Sequence, residues 1–170
     1  MKYYLISFLL LAFATNTFSQ TLPPIETENL NGKTVHLPTE KGTLIGLAFS
    51  QKAQNDLVTW LEPIYKQFLD PDGTGAWVYD CNTYLLLAFT GAKQAAAEKA
   101  KKEIKKATER DFFNYVLMYE GNIEPFKNLD VKDKSTFYIL VIDENGNVLV
   151  QQEGAYSERK LDALSLPLEQ

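Results

Sequence analysis

The stretch that decides the fold is FYILVIDENGNVLVQQEG, residues 137–154. An apolar run is joined through Asn145-Gly146 to a second, more mixed run at residues 147–153. Two such runs joined by Asn-Gly predict a β-hairpin with a type I′ turn, because both central residues of that turn need a positive φ. The first run has no polar residue from Phe137 to Ile142, which predicts a strand buried on both faces. The second run is expected nearer an edge of the sheet.

The chain upstream continues this pattern. A second, more exposed hairpin is predicted at residues 22–40, where Asn31-Gly32 forms the turn. Three apolar runs predict further buried strands, at residues 42–49, 83–90 and 112–119. Three amphipathic segments predict helices, at residues 51–69, 92–110 and 157–166. Strands that alternate with helices predict one α/β domain with a mixed central sheet and helices on both of its faces.

The ends of two predicted helices carry recognisable signals. Asn55 or Asp56 can cap the first helix, and Ser157 can cap the last. Pro63 lies inside the first helix and is expected to kink it. The apolar positions of the first helix are Leu57, Trp60, Leu61, Ile64, Tyr65, Phe68 and Leu69, and those of the last are Leu161, Leu164 and Leu166.

The first residues have the composition of a secretory signal peptide. Lys2 supplies the positive charge, residues 4–13 are almost wholly apolar, and Thr17 and Ser19 place small residues at a cleavage site. The apolar core is too short to cross a bilayer. We therefore expect a signal peptide at residues 1–19 and one domain at residues 20–170, with no membrane span after cleavage. The chain is expected to be exported, with the periplasm favoured over the extracellular medium.

Composition excludes several classes of function. The 170-residue chain has a net charge of −5 and a single histidine, His36, and such an acidic chain is not suited to binding nucleic acid. Cys81 is the only cysteine, so no intrachain disulfide can form and no pair of thiols can cycle. No residue pattern indicates a cofactor. The expected partner is another exported or envelope protein, and the oligomeric state is left open.

With its elements in this order, the chain resembles the thioredoxin superfamily, in particular the exported TlpA-like and peroxiredoxin-like branches. The resemblance lies in the N-terminal hairpin IETENLNGKTVHL, in the strand-to-helix junction LIGLAFSQKAQNDLVTWLEPIY, and in FYILVIDENGNVLVQQEGAYSERKLDAL near the C-terminus. It implies a thioredoxin-like three-layer sandwich with an added N-terminal β-hairpin.

The chemistry of that superfamily requires a Cys-x-x-Cys at the start of the first helix, where the helix N-terminus lowers a thiol pKa and the second thiol resolves the mixed disulfide. Alignment on Pro63 places the two cysteine positions at Asn55 and Val58. Counting without a gap from the preceding strand places them at Gln54 and Leu57 instead. Neither pair contains sulfur.

The cis-proline of the superfamily, which faces the thiols, falls at Phe137 or Tyr138, and neither is proline. The peroxiredoxin Pro-x-x-x-Thr-x-x-Cys is absent as well. The leading hypothesis is therefore a non-catalytic binding or assembly module that uses the surface where the dithiol would lie. Its candidate binding residues are Gln51, Gln54, Asn55, Thr136 and Phe137.

Two alternatives remain open. Cys81 could serve a one-cysteine thiol-dependent oxidoreductase or peroxidase, although the adjacent Asp80 would raise the thiol pKa. Asp70, Asp72 and Thr74 place oxygen ligands at positions 1, 3 and 5 of a calcium-loop pattern, with Gly75 at position 6. The twelfth position, where the pattern requires Glu, is Cys81. This second alternative predicts a calcium-stabilised exported domain.

Overall fold

A computed structural model of the protein describes residues 20–169. The predicted signal peptide lies outside the described residues. The strands are β1 Ile25–Asn29, β2 Thr34–Leu37, β3 Thr43–Ala48, β4 Asn82–Thr90, β5 Val116–Gly121, β6 Tyr138–Ile142 and β7 Val148–Glu153. The α-helices are α1 Ala53–Ile64, α2 Gly75–Val78, α3 Ala97–Ala107 and α4 Glu158–Ser165. No helix within the described part of the chain is long and apolar enough to span a membrane.

The strands form one mixed sheet in the order β2-β1-β5-β4-β3-β6-β7. The central strand β3 runs parallel to β4 and antiparallel to β6. All residues of β3 and β6 are buried, as their unbroken apolar sequences predict. β7 is an edge strand, and β1 and β2 form the predicted N-terminal hairpin. The predicted α/β class with a mixed central sheet is confirmed.

Alternate residues of β3 belong to two separate cores, one on each face of the sheet. Leu44 and Ala48 pack with Trp60 of α1 and Leu164 of α4 on the first face. Neighbouring side chains of β3 pack on the opposite face, where Phe126 belongs to the same cluster. Phe126 lies in a three-residue 3-10 helix, Glu124–Phe126, and no residue of α1, α3 or α4 belongs to this second cluster. The sheet is therefore the middle layer, with one apolar cluster on each of its faces.

The first long helix begins earlier than its capping residues predict. α1 starts at Ala53, whose backbone N–H lies 3.4 Å from the Ser50 hydroxyl oxygen, and neither Asn55 nor Asp56 caps it. Ala53 is fully buried, and only four residues, 49–52, separate it from the end of β3. One residue after Pro63 the α-helix gives way to a π-helix, Tyr65–Leu69. Pro63 has no N–H to continue the regular hydrogen-bond pattern.

The β6–β7 hairpin forms where predicted, but its turn is not type I′. Gly146 has a φ of 84°, whereas Asn145 has no positive φ. The Asp143 carboxylate accepts hydrogen bonds from the backbone N–H groups of Asn145 and Asn147, at 2.9 and 2.8 Å. These bonds stabilise a longer turn that needs one left-handed residue rather than two.

Two other boundaries differ from the sequence prediction. The segment 112–119 becomes a strand only at Val116, because Phe112 ends a 3-10 helix. Ser157 occupies the N-cap position of α4, but its side chain makes no capping hydrogen bond. Leu161 and Leu164 are buried as predicted, whereas Leu166 follows the end of α4 and is exposed.

Candidate functional site

The two halves of the predicted binding surface lie side by side. Leu47, near the end of β3, pairs with Tyr138 at the start of β6, so the segments that flank these residues meet at one end of the sheet. Lys52, which precedes α1, donates a hydrogen bond from Nζ to the Ser135 hydroxyl over 3.4 Å. The fold therefore brings residues 51–55 next to residues 133–136.

Four of the five predicted binding residues reach the surface. Gln51 and Asn55 are exposed, and Gln54 and Thr136 are half-buried. Phe137 is 0% exposed, because its side chain packs in the core against Gly46 of β3. The expectation that Phe137 takes part in a surface is therefore wrong.

Asp133 organises the loop that precedes β6. Its carboxylate accepts hydrogen bonds from the Ser135 hydroxyl at 2.6 Å and the Ser135 backbone N–H at 2.8 Å. A third, longer bond comes from the Thr136 hydroxyl at 3.4 Å. The bonds from Ser135, aided by the charge of Lys52, hold the pKa of Asp133 below its usual value. This carboxylate is consequently charged at neutral pH and is not suited to donate a proton.

Helix α1 and the first residue of the π-helix that follows it, Tyr65, expose a second apolar face that the sequence prediction did not identify. Val58, Leu61 and Tyr65 are 63%, 42% and 38% exposed, whereas Trp60 and Ile64 on the other side are buried. The spacing of the exposed residues, i, i+3 and i+7, places them on one face of a helix. The prediction listed Leu61 and Tyr65 together with Trp60 and Ile64 as apolar positions of one helix, without separating two faces. The available signal was that apolar residues occupy more than one face of this helix.

Cys81 lies at the other end of the sheet from this surface. It precedes β4, whose Asn82 pairs with Thr43 at the start of β3, whereas α1 follows the end of β3. Burial is the main cause that raises the pKa of the Cys81 thiol. The contact with Thr83 lowers this pKa, the Asp80 carboxylate raises it, and the charge of Lys41 lowers it, but the net pKa is raised. Cys81 therefore lacks the environment that activates a thiol at neutral pH.

The predicted calcium loop is held by turn hydrogen bonds. Asp70 Oδ1 accepts from the Asp72 backbone N–H at 3.1 Å, and Thr74 occupies the N-cap position of the short helix α2. Within residues 20–169, no group of three or more His, Cys, Asp or Glu side chains is placed to hold a metal ion. The calcium interpretation is supported only by its sequence pattern.

Comparison by sequence finds no matching protein-family model and no matching curated protein. Solved structures do match, at low sequence identity. The exposed lipoprotein thioredoxin of Streptococcus pneumoniae is 15% identical with a TM-score of 0.54, over 85% of this chain and 98% of its own. Yeast Sco1 with copper bound is 17% identical with a TM-score of 0.54, over 87% and 92%. BsSco, a member of the Sco family of cytochrome c oxidase assembly proteins, is 12% identical with a TM-score of 0.56, over 86% and 91%.

These matches show the class of structure that the chain has. The described residues form a thioredoxin-like domain with an N-terminal β-hairpin, as the sequence resemblance predicts. In this chain the residues at the start of α1 include no cysteine, and the single thiol lies at the opposite end of the sheet. The result is a thioredoxin-fold domain without a dithiol at the helix start.

Proposed function

We propose that this chain is an exported, non-catalytic binding or assembly module that holds a partner protein on one defined surface. This surface, here called the α1 surface, consists of Gln51, Lys52, Asn55, Val58 and Leu61, together with the adjoining loop 133–136. The partner is another exported or envelope protein. The module requires neither a redox dithiol nor a cofactor.

The observation that carries the proposal is the second apolar face of α1. A helix at the surface of a monomer normally has a polar outer face, yet Val58 and Leu61 are 63% and 42% exposed. They follow directly on the polar residues at the start of α1, where Lys52 contacts Ser135. An apolar centre beside a polar, hydrogen-bonding rim is the arrangement that protein interfaces use.

Two of the similar structures support this role. BsSco is described as belonging to a family of assembly proteins, which indicates that the fold can serve a partner during assembly. The Streptococcus pneumoniae protein is described as an exposed lipoprotein, in line with export of this chain. Both similarities are confined to the fold, so the partner and its chemistry belong to the proposal alone.

Site-specific photocrosslinking in the native host tests the surface. A photoreactive residue replaces Asn55 or Val58 in turn, and a matched control replaces Glu144, an exposed residue of the β6–β7 turn. We expect one adduct of defined mass from both α1 positions, absent from the Glu144 position and strongly reduced by Leu61→Lys. Equal crosslinking at Glu144, or no adduct at either α1 position, would contradict the proposal.

The catalytic alternative is tested on the purified protein. Insulin disulfide reduction and peroxide turnover are measured for the natural chain and for Cys81→Ser. We expect no turnover from either protein. Turnover that is lost in Cys81→Ser would instead establish a one-cysteine thiol enzyme.

Intact-mass measurement of the exported protein checks the expected processing, which should leave a chain that begins at Gln20.

A further inference from the structure

Positive charge is concentrated around helix α3 of an otherwise acidic chain. Residues 92–110 contain seven Lys or Arg and three Glu, which gives this segment a net charge of +4. The whole chain has a net charge of −5, so the residues outside this segment carry −9. Such an uneven distribution creates a local positive potential that attracts anionic groups to one place on the surface.

The positive charge lies on the outer face of α3. Ala97 and Ile104 pack in the core on the same side of the sheet as α1. Lys99, Lys102 and Lys106 are exposed, and their spacing of i, i+3 and i+7 places them on one face of the helix. A groove of about 310 Å³ on this face is lined by Lys99, Lys102, Glu103, Lys105 and Lys106.

Two lysines of this face have no internal partner. Lys106 pairs with Glu103 over 3.3 Å, whereas neither Lys99 nor Lys102 forms an ion pair with any residue that the structure describes. Glu98 precedes Lys102 by four residues, an order that favours an ion pair on a helix, yet the two do not pair. The charges of Lys99 and Lys102 are therefore available to a ligand.

The lysines of α3 also repel one another. Lys101 and Lys105, and likewise Lys102 and Lys106, are like charges four residues apart, and such pairs destabilise a helix. A face that only keeps the chain soluble does not require this arrangement, because charges of alternating sign do so without repulsion. An anionic ligand along the groove would neutralise the repulsion.

We propose that the outer face of α3 binds a short acidic segment of a partner protein, with Asp or Glu carboxylates against Lys99 and Lys102. Lys99 and Lys106 are about 10 Å apart along the helix axis, which an extended segment of about four residues covers. Lysine is a flexible point charge, so each one can meet a separate carboxylate. This second contact surface does not depend on the α1 surface.

The small extent of the positive face favours a short segment over a membrane or a nucleic acid. Both of these present negative charge over a wide area, so they would also meet the part of the chain that carries −9. A helix that binds a bilayer inserts its apolar face, but the apolar face of α3 packs in the core. The large exposed apolar side chains of the described residues lie outside α3.

Fluorescence anisotropy tests the proposal with a labelled hexapeptide of alternating Asp and Glu. The protein is the chain of residues 20–170, which contains all of the described core. We expect saturable binding that weakens as salt is added, and no binding of a hexapeptide of Asn and Gln. Lys99→Gln combined with Lys102→Gln should weaken binding about fivefold, the effect of two exposed ion pairs. Lys99→Arg combined with Lys102→Arg keeps both charges and should retain binding.

A matched control removes two lysines elsewhere. Lys127 and Lys132 are exposed and pair with Glu124 and Asp130 over 2.6 and 2.9 Å. Lys127→Gln combined with Lys132→Gln changes the net charge equally and should alter the affinity by less than about twofold. Thermal unfolding of each variant confirms that it is folded.

Three results would overturn the proposal. The first is the absence of saturable binding of the acidic peptide. The second is equal weakening by the two double Lys→Gln variants, which would show that only the net charge matters. The third is tighter binding of phosphatidylglycerol vesicles or of an oligonucleotide than of the peptide, lost in the α3 double Lys→Gln variant, which would assign this face to another class of anion.

Discussion

The side chain of Phe137 occupies the space beside Gly46 in the central strand β3. A Cβ built on Gly46 would lie 2.7 Å from Phe137 Cζ and 2.8 Å from Leu85 Cδ2, both too close for a carbon contact. The glycine therefore gives the aromatic ring its place in the core. The sequence resemblance predicts the cis-proline position at Phe137 or Tyr138, and in this chain a buried aromatic ring occupies the first of these positions.

Gly46→Ala should destabilise the protein by about 1 to 3 kcal/mol, because the added methyl group overpacks a core that has no free space there. Urea unfolding measures the change. Phe137→Leu removes part of the obstructing ring, so its combination with Gly46→Ala should cost less than the sum of the two single changes. Strict additivity would show that the two side chains do not compete for the same space.

Trp60→Phe should lower the free energy of unfolding by about 2 to 3 kcal/mol, since it leaves a cavity and removes a hydrogen bond. The indole Nε1 donates to the Gly154 backbone oxygen over 2.9 Å and so connects α1 to the turn after β7. Tyr156→Phe is the matched control. It keeps the ring that packs edge-to-face on Trp60, with centroids 5.4 Å apart, and should have little effect.

Alkylation of Cys81 by iodoacetamide should be slower in the folded protein than in the urea-unfolded chain at neutral pH. Burial, the main cause, raises the thiol pKa in the folded state and leaves less thiolate to react. Faster alkylation of the folded protein would contradict this assignment.

The same shift makes stability depend on pH in the alkaline range. When the pKa of a group is higher in the folded state than in the unfolded state, the group stabilises the folded state. This stabilisation is fully present below the unfolded pKa and is lost as the pH rises through the folded pKa. Cys81→Ser should lack this part of the alkaline loss of stability. Tyr84 and Tyr119, whose pKa values burial also raises, should still contribute at higher pH in that variant.

Asp143→Ala should destabilise the β6–β7 hairpin by about 1 kcal/mol, because three donors lose their shared acceptor. They are the N–H groups of Asn145 and Asn147 and the Asn147 side-chain amide. Desolvation alone raises the pKa of Asp143, but the bonds from Asn147 and Asn145 outweigh it and the net pKa is lowered. The stabilisation is therefore present above the unfolded pKa and is lost as the pH falls through the folded pKa.

Asp143→Asn separates the charge from the hydrogen bonds, since it keeps one oxygen acceptor at the same place. The free energy of unfolding of this variant should lie between those of the natural chain and Asp143→Ala. It should not show the loss of stability at acid pH that the Asp143 carboxylate causes. Thermal unfolding across the acidic range compares the three proteins. An identical acid profile for Asp143→Asn and the natural chain would show that another carboxylate is responsible.

The order of strands and helices could be predicted because each buried strand is a continuous apolar run, which is a local signal. The burial of Phe137 follows from the same signal, since this residue begins the apolar run 137–142, and its choice as a surface residue conflicts with that run. Its packing beside Gly46 could not be predicted, because Gly46 is far away in sequence and has no side chain. The exposure of Leu61 and Tyr65 could not be predicted either. Helical spacing shows that apolar residues share a face, but only the packed structure shows which of two faces meets the sheet.

The candidate site divides in the same way. The adjacency of residues 51–55 and the segment before β6 follows from the fold, and the sequence resemblance was enough to predict it for residues 135–137. The contact that joins them, Lys52 to Ser135, depends on side-chain positions that no sequence motif specifies.

The central strand β3 has consequences for how the chain folds. Thr43 pairs with Ile142 and Leu47 with Tyr138. One edge of β3 therefore has no partner strand until β6, which is synthesised late, has been made. Sheets closed by such distant partners form slowly, because a long loop must be ordered before the contacts repay it. A chain emerging from the ribosome cannot complete its sheet until most of it has been made. This delay is in line with the export proposed above.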